Sequence, residues 1–482
     1  MFDVIVIGGG PAGVTAALRA SELGASVALV ERDRLGGTCT NDGCVPTRVL
    51  ARAARLLRDS EQFSDYGLVG QSPAVDLQML LNSVQKIVYK IHEKKQLIQH
   101  LEDSGVQVFA GAGQAHFIDP HTISLDGDRQ LQAEKFILCV GGRARRLDFP
   151  GAEYALTHSD VWSLKKLPDS IVIVGASATG CQLASVFEAF GAKVTLLEVN
   201  PRILVIEDEV ISQTIRQEFQ QRGIQIVTGI GGIERIEKQE QGLLFYYTLN
   251  GFSHSIPTQA VFLAVGWPGN SDTLNLVATG VESVRGYVKV DDALRTSVPH
   301  IFAAGDITGR MMLVQSAGYE AAAAAENAVL GGSQPNRHQI VPHGGFTDPE
   351  YGSVGLTEAK ARAQHDCVVS VVPYAHMDRA IVDGHPVGFC KLIASRETHR
   401  ILGAHVVGEQ ALEIVHLVAG GMSADMWVEQ LAELEIAYPT YTAIVGVAAR
   451  RLVTELGVRP LAPEWRTLGR SHAAEWERAG SF

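Results

Sequence analysis

Gly8-Gly9-Gly10-Pro11-Ala12-Gly13 follows the apolar run Asp3 to Ile7 and leads into Val14 to Leu23, a segment with a helical pattern. The apolar run Val27 to Val30 comes next and ends at Glu31. Strand, glycine turn, helix and strand in this order form the dinucleotide-binding pattern, in which the spaced glycines permit a tight turn close to a pyrophosphate. The Glu31 carboxylate is placed to accept hydrogen bonds from a ribose. The start of the chain therefore predicts a parallel α/β unit that holds a dinucleotide.

The same pattern occurs a second time between residues 171 and 198. Its turn is Gly175-Ala176-Ser177-Ala178-Thr179-Gly180, and its acid, Glu198, follows the first glycine by 23 residues, as Glu31 follows Gly8. One GxGxxG turn is a weak signal, but two complete units at equal spacing predict two dinucleotides, or one molecule bound twice. Ser177 replaces the central glycine, which weakens the expected binding without excluding it.

The nucleotide preference of the second unit depends on two side chains. Glu198 accepts hydrogen bonds from free ribose hydroxyls and repels a 2'-phosphate, so it favours NADH over NADPH. Arg202 lies four residues further on, and an arginine near this position can accept that phosphate. NAD(H) is the expected substrate, and NADP(H) is the less favoured one.

A pair of cysteines lies in the stretch Gly36-Gly37-Thr38-Cys39-Thr40-Asn41-Asp42-Gly43-Cys44-Val45-Pro46-Thr47-Arg48. Four residues separate Cys39 from Cys44, so one turn of chain can close a disulfide whose second sulfur opens a helix. A helix N-terminus stabilises a thiolate, the reactive form of cysteine. The alternative is a structural disulfide or two unrelated buried thiols, which the lack of a secretory segment disfavours. The other four cysteines show no metal-ligand spacing, and no metal site is predicted.

Composition limits the classes of partner. The chain has 482 residues and a formal net charge of -12 at pH 7. This length suggests about three or four domains, and the charge argues against nucleic acid and anionic membranes. No apolar run reaches the roughly 18 residues of a membrane span, and the N-terminus reads as a buried strand rather than a signal peptide. We expect a cytoplasmic protein.

Further motifs follow these units in a fixed order. They are Ala303-Ala304-Gly305-Asp306, Phe346-Thr347-Asp348-Pro349-Glu350, Ser353-Val354-Gly355-Leu356-Thr357 and Ile401-Leu402-Gly403-Ala404-His405. Together with the two glycine turns and the cysteine stretch, they resemble the class I pyridine nucleotide-disulfide oxidoreductases, the family of dihydrolipoamide dehydrogenase, glutathione reductase and mercuric reductase. The resemblance extends from residue 1 to about residue 455.

The resemblance implies an α/β fold with two Rossmann-type dinucleotide-binding domains and an α+β C-terminal dimerisation domain. The implied boundaries are 1–150 for FAD, 151–269 for NAD, 270–338 for a central domain that completes the FAD site, and 339–460 for dimerisation, with a polar tail at 461–482. FAD is the implied cofactor, NAD(H) the implied substrate, and a homodimer the implied assembly.

The resemblance also implies a path for electrons. NADH reduces the flavin, the flavin reduces the disulfide, Cys44 contacts the flavin, and Cys39, nearer the surface, meets the acceptor. Thr38 and Asp306 would contact FAD, with Asp306 near its pyrophosphate. The remaining implied cofactor residues are Gly8, Gly10, Gly13 and Glu31 for FAD, and Gly175, Gly180 and Glu198 for NAD.

The end of the chain departs from the family pattern. Disulfide reductases carry His-Pro-Thr and a glutamate shortly after, and that histidine reaches the cysteines of the partner subunit as acid and base. This chain has Tyr438-Pro439-Thr440 and Ala443 instead. Tyrosine, with an ordinary pKa of about 10, is a poor base near neutrality, so efficient reduction of lipoamide or glutathione disulfide is not expected. Tyr438 would still complete the partner's site, and His343 is interpreted as a polar loop histidine rather than a replacement base.

Two further departures lie beside the flavin. Arg48 and Gln182 stand where relatives have a lysine paired with a glutamate, so we expect a positive charge without its ionic partner. Ala178 replaces the aromatic gate of some relatives. These substitutions predict a more open and more electropositive site that favours a thiolate at Cys44.

The residues leave the electron acceptor open. A metal-ion reductase is one alternative, since mercuric reductases also use tyrosine, although this chain lacks vicinal C-terminal cysteines. The others are an NADH:quinone or diaphorase-type reductase, and a flavin-disulfide redox sensor whose turnover is incidental. The expected acceptor is thus a small molecule, a metal ion or a quinone.

Overall fold

The computed structural model describes residues 1–127 and 129–458 of the chain. Within these two ranges, every helix is too short or too polar to span a bilayer. The predicted tail at 461–482 lies outside the described residues.

The first glycine turn joins a central strand to a helix in a parallel sheet. The elements of this region are β1 (Phe2–Ile7), α1 (Pro11–Glu22), β2 (Val27–Glu31), α2 (Gly37–Asn41), α3 (Cys44–Glu61), α4 (Leu77–Lys95), α5 (Leu97–Asp103), β3 (Val106–Ala110), β4 (His116–Asp119), β5 (Thr122–Ser124) and β6 (Gln130–Leu138). The parallel strands run in the order β3-β2-β1-β6, and β5 and β4 extend β6 in antiparallel fashion. Val4 and Val6 pack in one core cluster and Ile5 and Ile7 in another, because both faces of the sheet are covered.

The second glycine turn lies in a second parallel sheet. Its region contains β7 (Ala155–Leu156), β8 (Ser170–Val174), α6 (Ala178–Ala189), β9 (Lys193–Glu198), α7 (Glu209–Gln221), β10 (Gln225–Thr228), β11 (Ile230–Gln239), β12 (Gly242–Leu249), β13 (Phe252–Thr258) and β14 (Ala260–Leu263). The parallel order is β10-β9-β8-β14-β7, and β11, β12 and β13 form a separate antiparallel sheet. Helix α6 begins at Ala178, which lies inside the predicted turn of residues 175–180.

The next region returns to the first sheet. It contains β15 (Ser283–Val284), β16 (Tyr287–Val288), β17 (Ile301–Ala303) and α8 (Val314–Leu330). Strand β17 pairs in parallel with β6, which brings Asp306 to the carboxyl edge of the first sheet. Alanines of α8 pack against alanines of α1 in one buried cluster, and small side chains let the two helices approach closely.

The last region is an antiparallel sheet covered by helices. It contains β18 (His343–Gly345), β19 (Tyr351–Gly355), α9 (Glu358–Gln364), β20 (Cys367–Pro373), α10 (Asp378–Val382), β21 (Phe389–Ser395), β22 (Ile401–Val407), α11 (Ala411–Ser423), α12 (Val428–Ala432) and α13 (Ala443–Glu455). The strand order is β18-β19-β22-β21-β20. The predicted fold class is confirmed, while the domain boundaries stay a prediction.

A buried ion cluster joins this last region to the second parallel sheet. The ammonium of Lys391 lies 2.7 Å from Oδ1 of Asp208 and 2.7 Å from Oε2 of Glu358. The Lys391 and Asp208 side chains are almost completely buried. Breaking such a buried pair is costly, since it leaves a charge without a partner, so the cluster fixes β21 against the segment that precedes α7.

The space around two glycines predicts opposite effects of an alanine substitution on the free energy of unfolding. A β-carbon on Gly13 would lie 1.7 Å from the carbonyl oxygen of Gly8, so Gly13→Ala should lower the free energy of unfolding by about 3 kcal/mol, as overpacking does. Gly420, on the exposed side of α11, has open space there, and Gly420→Ala should raise the free energy by about 0.5–1 kcal/mol through helix propensity. Urea unfolding of both variants measures these changes, and equal stability of the two would contradict the packing argument.

Candidate active site

One large cavity, of about 2000 Å³, connects the two glycine turns. Most of the predicted site residues line it: Gly8, Gly10, Glu31, Thr38, Cys39, Cys44, Arg48, Gly175, Gln182, Glu198 and Asp306. Gly13 and Gly180 do not line the cavity, because each supports its turn from behind. Tyr438 also does not line the cavity of its own subunit.

The first turn has the form that a pyrophosphate requires. A β-carbon on Gly8 would lie 2.3 Å from the carbonyl oxygen of Cys139, so only glycine fits there. Oε2 of Glu31 accepts a hydrogen bond from the Gly9 amide at 2.7 Å, which ties the end of β2 to the turn. No side chain caps the N-terminus of α1, and its backbone amides can therefore bind an anion.

The second turn repeats this arrangement. Oε2 of Glu198 accepts from the Ala176 amide at 2.6 Å, and its Oε1 accepts from the Asn200 amide at 2.9 Å. Ser177 has a φ of -79°, close to the -76° of Gly10 in the first turn. This conformation suits any L-residue, so Ser177 does not distort the turn.

Arg202 is not available to a 2'-phosphate in this conformation. Its guanidinium donates to the carbonyl oxygens of Leu204, Val205 and Glu207 at 3.1, 2.7 and 3.0 Å. It also does not line the cavity. The possibility of an Arg202 phosphate contact is therefore not supported, and Glu198 is the charged side chain at this turn.

The two cysteines meet at the start of α3. Cys44 is the first residue of the helix, and both cysteines are free thiols in this structure. A hydrogen bond from the Cys39 thiol outweighs burial and, with a backbone hydrogen bond, lowers the pKa of Cys44 to about 7. The same pairing, together with burial, raises the pKa of Cys39. Cys44 is thus the thiolate of the pair.

The two cysteines differ in their surroundings. Cys44 is exposed toward the cavity, into which it projects from the helix end, whereas Cys39 is half-buried. The assignment of Cys39 as the thiol nearer the outer surface stays a prediction.

Arg48 has an ionic partner, contrary to the expectation from Gln182. Its Nη1 lies 3.3 Å from Oε1 of Glu350, and its guanidinium carbon lies 4.5 Å from the centre of the Phe346 ring. Burial raises the pKa of Glu350 to about 7, although Arg48 acts to lower it. The predicted lack of an ionic partner is therefore wrong at Arg48, whereas the more electropositive site stays a prediction. The sequence contains Glu350 in a family motif, but nothing in that motif indicates its partner.

Gln182 forms hydrogen bonds rather than an ionic contact, and one of them reaches the residue that follows β18. Its Oε1 accepts a hydrogen bond from the Phe346 amide at 3.1 Å, and its Nε2 donates to the Ala178 carbonyl at 3.1 Å. The side chain therefore positions the loop that carries the ring stacked on Arg48. Ala178 lines the cavity with its small side chain.

Tyr438 forms a contact that the sequence did not predict. Its hydroxyl donates to Oδ2 of Asp378 at 2.6 Å, and 57 % of the residue is exposed. A carboxylate of α10 thus stands beside the tyrosine, although Ala443 replaces the family glutamate. This position outside the subunit's own cavity agrees with a role at an interface.

His343 lies on the cavity wall at the start of β18. Its Nε2 is 3.3 Å from Oε1 of the buried Glu207, and Ser353 Oγ donates to the other oxygen of Glu207 at 2.8 Å. Burial disfavours the charged imidazole, but Glu207 prevails and raises the pKa of His343. The interpretation as an ordinary polar loop histidine is therefore wrong, since His343 begins β18 and is ion-paired.

Asp306 faces both thiols from the edge of the first sheet. The indole nitrogen of Trp267 donates to its Oδ2 at 2.8 Å. Burial nevertheless raises the pKa of Asp306. Its position beside the first glycine turn suits a hydrogen bond to a cofactor that occupies the cavity. Among the described residues, no group of three or more histidine, cysteine and acidic side chains is arranged to hold a metal ion.

Comparison with known families gives a match over most of the chain. Residues 2–321 match the pyridine nucleotide-disulphide oxidoreductase family, and residues 341–449 match the dimerisation domain of the same family. The chain belongs to the pyridine nucleotide-disulphide oxidoreductases. Members of this family are flavoprotein oxidoreductases that use FAD and NAD(P)H. The glycine turns, uncapped helix N-termini and acidic strand ends described above fit these two dinucleotides.

Individual members of the family resemble this chain along most of its length. Mercuric reductase of Lysinibacillus sphaericus is 32% identical over 452 residues, which cover 93% of this chain and 82% of that protein. Dihydrolipoyl dehydrogenase of Bacillus subtilis is 30% identical over 465 residues, covering 93% and 97%.

Solved structures also resemble this oxidoreductase over most of its length. The HOCl-induced flavoprotein disulfide reductase RclA from Escherichia coli superposes with a TM-score of 0.83 at 26% identity, covering 93% of this chain and 99% of that chain. A Cu(II) complex of RclA has the same TM-score and identity and covers 94% and 99%.

The raised pKa of Glu350 predicts a pH dependence of stability. Its folded-state pKa of about 7 exceeds its ordinary value of 4.5, so the carboxyl stabilises the fold below about pH 4.5 and this contribution is lost as the pH rises through 7. From pH 4.5 to 8, the free energy of unfolding of the natural protein should fall by about 3 kcal/mol more than that of Glu350→Gln. Chemical unfolding at several pH values measures the difference.

Glu102→Gln, at an exposed position of α5, is the control for this measurement. Parallel curves of unfolding free energy against pH for Glu350→Gln and the natural protein would contradict the assignment.

Proposed function

We propose that this protein is an FAD-dependent NADH oxidoreductase in which the Cys39–Cys44 disulfide passes electrons to a thiophilic acceptor. The observation that carries the proposal is Cys44, at the first turn of α3 and facing the cavity between the two nucleotide turns. Bound FAD would supply the two-electron link between NADH and the disulfide. The thiol of Cys39 and the helix N-terminus would hold the resulting negative charge on Cys44.

The two turns support different nucleotide roles. Gly8, Gly10, Gly13 and Glu31 would hold FAD, with Thr38 and Asp306 lining the same part of the cavity. Gly175, Gly180 and Glu198 would hold NADH, because the Glu198 carboxylate repels a 2'-phosphate. Arg48 and Gln182 would shape the wall between them through Phe346.

A homodimer is the proposed assembly. Residues 341–449 match the family's dimerisation domain, and Tyr438 lies exposed in that region, outside its own cavity. In the dimer Tyr438 would reach the cysteines of the partner subunit as a hydrogen-bond donor. Light scattering of the purified protein gives the mass that tests this assembly.

A thiophilic metal ion is the first acceptor to consider. Several relatives are mercuric reductases, and RclA forms a Cu(II) complex. Soft metal ions react with thiolates, and their reduction does not require the acid–base histidine that this chain lacks. One NADH supplies two electrons and releases one proton, so it reduces one Hg(II) to Hg(0), or two Cu(II) to Cu(I).

Glu198 should determine the preference for NADH. Replacing its carboxylate removes the repulsion of a 2'-phosphate, so Glu198→Gln should lower the ratio of kcat/KM for NADH to that for NADPH by about tenfold, equivalent to roughly 1.4 kcal/mol. Steady-state kinetics with both nucleotides and one electron acceptor measures the ratio. Arg202→Gln is the control and should leave the ratio unchanged, since its guanidinium binds backbone carbonyls. A ratio that follows Arg202 instead would contradict this assignment.

The acceptor is identified by a screen of NADH oxidation with mercuric chloride, cupric chloride, a benzoquinone and lipoamide. We expect the metal ions to accelerate NADH oxidation more than lipoamide does. Cys39→Ser should reduce metal-dependent turnover to the oxygen background, because the dithiol can no longer form. Cys367→Ser, which changes a buried thiol in β20 outside the cavity, is the matched control and should retain it.

The same screen separates the alternatives. Turnover with benzoquinone that survives Cys39→Ser would indicate direct transfer from the flavin, as in a diaphorase. No acceleration by any acceptor would contradict the enzyme proposal and favour a redox sensor. Tyr438→Phe should weaken metal-dependent turnover without abolishing it, because phenylalanine removes the hydroxyl and keeps the ring.

A further inference from the structure

A histidine and an aspartate meet beside the redox cysteines within one subunit. Asp42 lies in the loop between Cys39 and Cys44, and its Oδ2 is 3.4 Å from Nε2 of His158. His158 begins the 3₁₀ turn His158–Ser163, which comes from the second region of the chain. Both side chains line the large cavity. Asp42 lies within the cysteine stretch, and His158 belongs to none of the motifs named above.

Asp42 is fixed by donors from the same turn. The hydroxyl of Ser159 donates to its Oδ2 at 2.5 Å, and the indole nitrogen of Trp162 donates to its Oδ1 at 2.7 Å. Burial opposes ionisation, but hydrogen bonds from His158, Ser159 and Trp162 prevail and lower the pKa of Asp42. Asp42 is therefore a carboxylate in a defined orientation toward His158.

His158 is held between Asp42 and an aromatic ring. Only 12 % of its side chain is exposed, and its ring centre lies 5.4 Å from that of Trp267. Trp267 is itself fixed by its hydrogen bond to Asp306. Packing on one side and a carboxylate on the other give the imidazole one position on the wall of the cavity that Cys44 also lines.

We propose that His158, oriented by Asp42, compensates the negative charge of Cys44 when the disulfide is reduced. The inference rests on the proposed function, in which Cys39 and Cys44 form that disulfide. A hydride equivalent breaks the S–S bond and leaves one thiol and one thiolate, so atoms and electrons balance without another proton. Cys39 keeps the proton and Cys44 keeps the charge. His158 is a positioning residue in this scheme, because a positive charge on its ring acts on Cys44 through the electrostatic field and not through a bond.

The other charged groups around the thiols come from different elements. Lys95 of α4 faces Cys39 and favours its thiolate, whereas Asp306 faces both thiols and opposes ionisation. A positive charge on His158 lowers the pKa of Cys44. Of these groups, Asp306 disfavours the Cys44 thiolate, and a positive charge on His158 favours it.

The test measures ionisation of Cys44 in the flavin-containing protein reduced with dithiothreitol. Ultraviolet thiolate absorbance is followed against pH, with Cys44→Ser protein as the blank. His158→Gln should move the midpoint upward by about one pH unit, which leaves about tenfold less thiolate below the midpoint. His158→Lys restores a positive charge and should reverse most of this shift. His121→Gln, an exposed histidine stacked on His300, is the matched control.

Two outcomes overturn the inference: an unchanged midpoint in His158→Gln that retains flavin, or a His158→Lys midpoint equal to that of His158→Gln. If His158→Gln does not fold, His158→Asn carries the same expectation. Failure of the proposed function is observed separately, by counting thiols in the natural protein after NADH is added. If NADH produces no new thiols, the disulfide is not the electron carrier, whatever the effect of His158 on Cys44.

Discussion

Close backbone packing at the first glycine turn is the constraint on which the site depends. Because Gly8 and Gly13 lack β-carbons, β1 and α1 approach to distances that no other residue allows. This contact places the uncapped N-terminus of α1 at the carboxyl edge of the sheet. Parallel strands end at the same edge, so Glu31 at the end of β2 and Asp306 after β17 arrive there as well. The sheet thus gathers residues that lie far apart along the chain around one cavity.

Paired basic and acidic side chains are the second general feature of the cavity. Arg48 is paired with Glu350, His343 with Glu207 and His158 with Asp42. A charge taken out of water is tolerated when a partner and hydrogen bonds accompany it. Each pair therefore acts on its immediate neighbours instead of giving the whole cavity one sign of potential. Such local pairing is compatible with a thiolate at Cys44.

The family pattern is retained at the nucleotide turns and altered near the C-terminal end of the dimerisation domain. The turns have the geometry needed for FAD and NAD(P)H, and Cys44 has the helix N-terminus that favours a thiolate. In the dimerisation domain, Tyr438 stands in place of a histidine and contacts Asp378. A tyrosine hydroxyl beside a carboxylate is a hydrogen-bond donor rather than a base at neutral pH. This division fits an acceptor that reacts with thiolates directly.

Features that depend on residues close together in the sequence could be predicted, whereas features that depend on distant residues could not. The strands, glycine turns and terminal acids of both nucleotide units were predictable, since their pattern repeats within some thirty residues, roughly the length of one βαβ unit. Cys39, Cys44 and the position of Cys44 at a helix start were predictable for the same reason. The contacts around the two thiols were not, because they depend on how the cavity wall is assembled around the helix end.

By itself, the sequence determined the two parallel nucleotide units, the closely spaced cysteines before and at the start of α3, and the family of the protein. Only the tertiary structure decided which charges meet. Arg48 and Glu350 are 302 residues apart, and His158 reaches Asp42 only when the second region packs on the first. Hydrogen bonds within a turn or helix are set by neighbouring residues, whereas ion pairs between sheets depend on packing that no local pattern encodes.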